Sequence, residues 1–146
     1  MLADRIPPHD IRAEESVIAS LLIDGETLVQ VTSFLLPEDF YRERNRWCYE
    51  ACLKLFNRGE AINQVTVAHE LESANQIEEV GGSAFLSHVI SVVPTSVHIE
   101  YYGRLIHRTA IMRRLIAAAD DIADIGYEDS PDIDNALSAA ENILFG

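Results

Sequence analysis

The sequence has almost no lysine and little cysteine, proline or glycine. Lys54 is the only lysine among 11 basic residues, and 24 acidic residues give a formal net charge of -13. A charge of this size repels a phosphate backbone at long range, so the composition argues against direct, non-specific binding of nucleic acid. Five prolines and seven glycines interrupt a chain that is 48% hydrophobic, which is typical of a folded globular protein.

The two cysteines, Cys48 and Cys52, are four residues apart and follow Trp47. On a helix they would share one apolar face, so we predict that both thiols are buried. They supply no disulfide framework, which is typical of a reducing compartment. The sequence shows no apolar run suited to a signal peptide or a membrane span. These features predict a soluble, cytoplasmic protein without a membrane partner.

The histidine spacing does not fit a metal site. His69-Glu70 could open a metalloprotease motif, but the second histidine of that motif would fall at Ser73. His98 and His107 are nine residues apart, or about two and a half helical turns, so they could not bind one ion together. We therefore predict no metal ligands in this chain.

Other catalytic patterns are missing as well. A P-loop requires a glycine directly before its lysine, whereas Leu53 precedes Lys54. Adjacent acids such as Glu14-Glu15 and Asp120-Asp121 diverge on a helix and are typical of solvated faces. No serine lies in a Gly-x-Ser-x-Gly elbow. The sequence predicts a chain that is not an enzyme and has no cofactor-binding residues.

The arginines form two groups, at residues 42–46 and 104–114. Most are expected to be solubilising or ion-paired, as Glu100 could be with Arg104 four residues later. The alternative is that one group docks an acidic partner or a phosphate strand.

Hydrophobic spacing predicts helices and no strands, because no stretch alternates convincingly between apolar and polar residues. Residues 1–94 are predicted to form a compact head of about five short helices after an extended arm, with Phe40 or Tyr41 filling the core. On the first helix, Arg12, Glu14 and Glu15 are assigned to the outer face. The predicted limits are N-caps at Asp10, Asp24 and Asn63 and stops at Asp24-Gly25, Arg58-Gly59 and Pro94.

Residues 95–146 are predicted to form a long antiparallel helical hairpin. The first helix runs from Ser96 to about Ile125, which corresponds to roughly 45 Å. Ser130 is the predicted N-cap of the second helix, with Pro131 as its first residue. The predicted fold class is therefore all-α, with a helical head followed by a hairpin.

The hairpin is apolar on more than one side. One partner helix covers only one stripe, so the remaining apolar face predicts self-association. The predicted dimer interface comprises Tyr101, Leu105, Ile111, Met112, Leu115, Ile116, Ala119, Ile133, Leu137 and Ile143.

Several short motifs also occur in a characteristic order. They are Ile6-Pro7-Pro8-His9-Asp10-Ile11, Pro37-Glu38-Asp39-Phe40-Tyr41, Val80-Gly81-Gly82 and Pro94-Thr95-Ser96. With this order and spacing, the chain resembles the amino-terminal domain of DnaB-type bacterial replicative DNA helicases over nearly its whole length. The resemblance implies that hairpins pair between subunits and that three such pairs build a collar on a hexamer. It further implies docking of primase and, in some bacteria, of a helicase loader.

The resemblance thus predicts a non-catalytic oligomerisation and docking domain of a replicative helicase. ATP and Mg²⁺ are expected only in a motor domain beyond Gly146. Two alternatives remain open, namely the helicase-binding domain of a primase, which is a similar head with a hairpin, and a stand-alone helical adaptor.

Overall fold

The structure is a computed structural model that describes residues 5–92 and 98–146. Every regular element is a helix, and these two ranges contain no strand. The prediction of an all-α fold is confirmed. Three predicted features fall on residues 93–97 and lie outside the described residues: the stop at Pro94, the domain boundary between residues 94 and 95, and the start of the long helix at Ser96.

The helices follow one another with short connections. They are α1 Ile11–Ile23, a 3-10 helix Gly25–Gln30, a 3-10 helix Pro37–Asp39, α2 Glu43–Asn57, α3 Gln64–Ser73, α4 Ile77–Val80, α5 Gly82–Val92, α6 Ile99–Glu128 and α7 Ile133–Phe145. The predicted short helix after Asp24 is a 3-10 helix, whose tighter turn also suits the spacing of Leu28 and Val31.

Contacts divide the described chain into two compact units. We call His9–Ala110 the head, and we call Ile111–Gly146 with residues 5–8 the hairpin unit. The division falls inside α6, because the first turns of this helix bury Ile99 and Ile106 in the core of the head. Within the hairpin unit, the Nη1 of Arg113 donates a hydrogen bond of 2.8 Å to the carbonyl oxygen of Pro8.

The core of the head is built from the apolar faces that the sequence indicates, with one exception. Phe40 is buried, as predicted, and its ring lies 4.9 Å from that of Tyr49. The hydroxyl of Tyr49 donates a 2.8 Å hydrogen bond to the carbonyl oxygen of Leu35, and burial raises the pKa of this phenol. Phe56 follows Cys52 by four residues and so has the spacing of a core residue, but it is 41% exposed because it lies in the last turn of α2.

Glu14 was predicted to lie on a solvated face, and this prediction is wrong. Its side chain is buried. The carboxylate accepts hydrogen bonds from the backbone N–H groups of Tyr41 and Arg42, at 2.7 and 3.2 Å, and from the Nδ2 of Asn45 at 3.0 Å. Because these donors lie at the start of α2, the negative charge also meets the positive end of that helix. Glu14 therefore joins α1 to the N-terminus of α2.

Helix ends follow the predicted capping residues at most positions. Asp10 accepts from the N–H of Ala13, and Asn63 accepts from the N–H of Thr66. At α7 the predicted cap, Ser130, is wrong. Asp132 caps this helix by accepting from the N–H of Asn135, while the Oγ of Ser130 accepts from the N–H of Asp132.

Both cysteines are free and buried, as predicted. Burial raises the pKa of Cys48 to about 12 and also raises the pKa of Cys52. A thiol that is protonated and shielded reacts slowly, because the thiolate is the nucleophile. We expect neither cysteine to react with a soluble disulfide reagent at pH 8 in the native state, and both to react in guanidinium. Rapid reaction of the native protein would contradict the burial.

Two glycines of α6 differ in their surroundings. A Cβ on Gly103 would lie 2.9 Å from the Cγ1 of Val31 and 3.3 Å from the Cζ of Phe34, whereas a Cβ on Gly126 would meet no atom within 4 Å. We expect Gly103→Ala to lower the free energy of unfolding by about 1–2 kcal/mol, since overpacking outweighs the gain in helix propensity. Gly126→Ala should instead raise it by about 0.5–1 kcal/mol. Urea unfolding of these two variants measures the sign and size of each change in the free energy of unfolding.

Candidate association surface

Half-buried residues form one row on each helix of the hairpin unit. On α6 these are Ala118, Ile122 and Ile125, and on α7 they include Ala136 and Ile143. The spacing of three or four residues places each row on one helical face. We infer that α6 and α7 pack against each other along these rows. None of the residues of α7 is fully buried.

A second apolar row on α6 remains in solvent. Ile111, Met112, Leu115 and Ile116 are 39%, 43%, 56% and 38% exposed, and Ala119 is exposed as well. They recur at spacings of three and four residues, so they form a continuous face that adjoins the half-buried row. These five predicted interface residues therefore lie together on an accessible surface of the hairpin unit.

Helix α7 contributes a shorter exposed row. Ile133, Leu137 and Leu144 are 67%, 58% and 57% exposed and share one face of the helix. The first two belong to the predicted interface, whereas Leu144 does not. Ile143, which does, lies in the half-buried row instead. The predicted interface thus includes Ile143 from the half-buried row and leaves out its exposed neighbour Leu144.

Two predicted interface residues belong to the head. Leu105 is half-buried and packs against the core of the head. Tyr101 is 61% exposed, and its ring lies edge-on to that of Tyr102 at 5.4 Å. Since both lie in His9–Ala110, the structure does not group them with the exposed face of the hairpin unit.

Charge changes sign along the hairpin unit. Arg113 and Arg114 lie near the start of its part of α6, and no basic residue follows them in the sequence. The acids that follow are Asp120, Asp121, Asp124, Glu128, Asp129, Asp132, Asp134 and Glu141. The apolar face is therefore flanked by positive charge at one end and by negative charge at the other.

Two large exposed side chains were not singled out in the sequence. Tyr127 is 89% exposed and Phe145 is 86% exposed. Tyr127 lies in the last turn of α6, and Phe145 ends α7. Their positions beside helix ends, outside the main apolar rows, explain why periodicity alone gave no signal.

The polar groups of the head make structural contacts. Arg58 donates to both Glu60 and Glu70, with its Nη2 lying 3.1 and 2.7 Å from a carboxylate oxygen of each. These hydrogen bonds lower the pKa of Glu60 and of Glu70. Glu100 and Arg104 form the ion pair that the sequence indicates, at 3.4 Å.

One histidine of the head lies beside a single carboxylate. The Nδ1 of His107 lies 3.2 Å from the Oδ2 of Asp39, a buried oxygen that also accepts from the N–H of Leu36. His69 is exposed on α3. Over residues 5–92 and 98–146, no three His, Cys, Asp or Glu side chains group as metal ligands do. No helix within these ranges has the length and apolarity to cross a bilayer.

Comparison with known proteins gives consistent matches. A family model described as "DnaB-like helicase N terminal domain" matches residues 6–108. The chain is 39% identical over 141 residues to the replicative DNA helicase DnaB of Geobacillus stearothermophilus, and 38% identical over 144 residues to the replicative DNA helicase DnaC of Bacillus subtilis (strain 168). These alignments cover 97% and 99% of this chain but 31% and 32% of the helicases, so the chain spans about a third of their length.

Solved structures show the same fold. The N-terminal domain of DnaB helicase from Mycobacterium tuberculosis superposes with a TM-score of 0.91 at 33% identity, covering 96% of this chain and 99% of that one. The N-terminal domain of DnaB helicase from Helicobacter pylori, described with its interactions with primase, superposes with a TM-score of 0.69 at 25% identity and covers 80% and 90%. From the family match and the relatives at 38–39% identity, this chain belongs to the family of DnaB-like helicase N-terminal domains.

Proposed function

We propose that this chain is a non-catalytic association and docking domain of a replicative DNA helicase. The exposed apolar face of α6, from Ile111 to Ala119, carries the proposal. A contiguous apolar surface of this kind on a soluble domain marks an association site. The chain offers no P-loop lysine of its own, because Leu53 precedes its only lysine. ATP and Mg²⁺ would accordingly bind outside this chain.

We propose that this face binds a second copy of the chain. In the longer protein, this pairing would contribute to a hexamer. Light scattering at tens of micromolar protein tests the pairing. A dimer or larger species is expected, with a molecular mass that falls on dilution. A species that stays monomeric throughout this concentration range would refute the association role.

We further propose primase as a docking partner, and a helicase loader as a second one. The support is the similarity to the H. pylori domain, whose structure was described together with its interactions with primase. Relatives at 38–39% identity are helicases, which favours a helicase domain over the helicase-binding domain of a primase. We propose a cytoplasmic location and no direct contact with nucleic acid, in keeping with the net charge of -13.

Calorimetric titration of the chain with purified primase from the same organism tests the docking proposal. Saturable heat with a defined stoichiometry is expected. Absence of binding at tens of micromolar would contradict primase docking, provided that the primase is active and this chain is folded and associated. Double-stranded DNA serves as the control ligand, and it should give no binding at physiological salt.

A further inference from the structure

A shallow groove lies on the head between α3 and α5, with a volume of about 360 Å³. Val65, Ala68 and Glu72 line its α3 side, and their spacing of three and four residues places them on one helical face. Ser83 lines the α5 side. Since Val65, Glu72 and Ser83 are exposed, this α3–α5 groove opens to solvent and can receive a side chain that protrudes from a partner.

Contacts within the head hold the α3–α5 groove in shape. At one end, the Nε2 of Gln64 donates a hydrogen bond of 2.8 Å to the Oγ of Ser87, which joins α3 to α5. The opposite face of α3 buries Val67 and Leu71 in the core. A partner would therefore meet a preformed surface, which lowers the entropic cost of binding.

The first turns of α3 supply the apolar part of the groove. Val65 is 78% exposed, more than any other large hydrophobic residue described in the head. Ala68 follows three residues later and is half-buried. A single exposed aliphatic residue is common on a protein surface, but Val65 forms the wall of a depression that an apolar side chain can fill.

Negative charge dominates this part of the head. No lysine or arginine occurs in the sequence between Arg58 and Arg104, a stretch that includes α3, α4 and α5. Arg58 itself is paired with Glu60 and Glu70, at 3.1 and 2.7 Å. The other carboxylates of the stretch therefore have no lysine or arginine near them in the sequence.

Three of these carboxylates lie at the end of the groove where α3 terminates. Glu72 lines both the groove and a second depression of about 380 Å³, which Glu78 and Glu79 also line. Within residues 5–92 and 98–146, none of the three lies within ion-pair distance of an arginine or lysine. Glu72 also lies in the last turn of α3, which contains no basic residue. Because the helix dipole is negative at that end, a cation supplied from outside would be stabilised there.

We propose that the α3–α5 groove binds an amphipathic basic helix of a partner protein. Apolar side chains of that helix would cover Val65 and Ala68, and lysine or arginine side chains would meet Glu72 and Glu78. The seven residues from Val65 to Glu72 correspond to roughly 10 Å along α3, so the apolar and basic residues of the partner are about two turns apart. A second copy of the chain fits this groove poorly, because each copy has a net charge of -13.

Two synthetic helical peptides test the groove. Each has about 18 residues on an alanine background, long enough to form a helix by itself. The basic peptide has two leucines four residues apart, and three lysines that begin seven residues after the first leucine. The acidic peptide has glutamates in place of these lysines. Fluorescence anisotropy measures the binding of each labelled peptide to the full chain.

The basic peptide is expected to bind saturably with a dissociation constant of roughly 10–100 μM at about 50 mM salt. Its affinity should fall by at least about fivefold at about 500 mM salt, and the acidic peptide should not bind. Equal binding of both peptides, or no binding of the basic peptide up to about 500 μM, would overturn the inference. Neither outcome affects the proposed association through α6, which is measured from the mass of the chain in solution.

Glu72→Lys tests the acidic end of the groove. It should weaken binding of the basic peptide by roughly fivefold to tenfold, and a lysine in the last turn of α3 suits the helix dipole, so the helix is retained. Glu38→Lys is the matched control, since Glu38 is exposed and lines neither depression. It should change the affinity by less than about twofold. Equal effects of the two variants would show attraction by net charge alone and would overturn the inference.

Val65→Ser tests the apolar end without changing the charge. It should weaken binding of the basic peptide by roughly threefold to fivefold, because less apolar surface is buried. Val29→Ser, at a residue that is 60% exposed elsewhere on the head, should change the affinity by less than about twofold. Unchanged affinity of Val65→Ser would overturn the inference. Weaker self-association of Val65→Ser in sedimentation equilibrium would also overturn it, because the groove would then belong to a second copy. Circular dichroism confirms that each variant remains helical.

Discussion

Glu14→Ala is expected to lower the free energy of unfolding by about 3–5 kcal/mol. The substitution removes the acceptor of three hydrogen bonds, from the N–H groups of Tyr41 and Arg42 and from the amide of Asn45. Asn45 is fully buried, so water cannot readily replace the lost acceptor. Urea unfolding followed by the fluorescence of Trp47, the only tryptophan, measures the change.

Two variants separate this effect from a general loss of charge. Glu14→Gln keeps the shape of the side chain but turns an NH₂ group toward N–H donors. Its decrease in the free energy of unfolding should therefore lie between zero and that of Glu14→Ala. Glu15→Ala removes the neighbouring acid, whose closest contact to Arg44 is 3.8 Å, and should change stability by less than about 1 kcal/mol. Equal effects at positions 14 and 15 would refute the role assigned to Glu14.

The contrast between these two adjacent acids shows where reading the sequence fails. Their charge led to the assignment of both to the polar side of α1, although Glu14 lies three, four and seven residues before Val17, Ile18 and Leu21 and therefore shares their face. The environment of Glu14 is set by donors 27 to 31 residues later in the chain. A pattern with a period of 3.6 residues contains no information about contacts of that range.

Capping shows a smaller failure with a local cause, a competition between two neighbouring residues. Both Ser130 and Asp132 can accept a hydrogen bond from a helix N-terminus, and Ser130 with Pro131 fits the usual preference. In the structure Asp132 caps α7, whereas Ser130 accepts a hydrogen bond within the turn that precedes the helix. By contrast, Asp10 and Asn63 precede helices without a competing neighbour, and both were predicted correctly.

The exposed apolar face of α6 could be predicted in part, whereas its role in association stays a prediction. Periodicity shows that α6 has more apolar residues than one stripe holds, but it does not tell which row faces α7. The structure puts Ile122 in the half-buried row and Leu115 in solvent. Leu105 and Ile143 were included because they are apolar and correctly spaced, although packing within the chain partly covers both.

Leu115→Asp is expected to weaken dimerisation by at least about a hundredfold. Leu115 is 56% exposed, so the carboxylate of an aspartate at this position would remain in water in the monomeric chain. In the proposed pair the same carboxylate would enter an apolar interface, once from each copy. Desolvating an unpaired charge costs several kcal/mol, and each 1.4 kcal/mol changes a dissociation constant tenfold.

Val65→Asp is the matched control for this variant. Val65 is 78% exposed on α3 of the head and lies outside the proposed face. Both variants should keep the helical circular dichroism of the unchanged chain, and only Leu115→Asp should sediment as a monomer at tens of micromolar. If Leu115→Asp remained dimeric, the exposed row on α6 would not be the surface through which the copies meet. If Val65→Asp dissociated equally, the added charge rather than its place on α6 would be responsible.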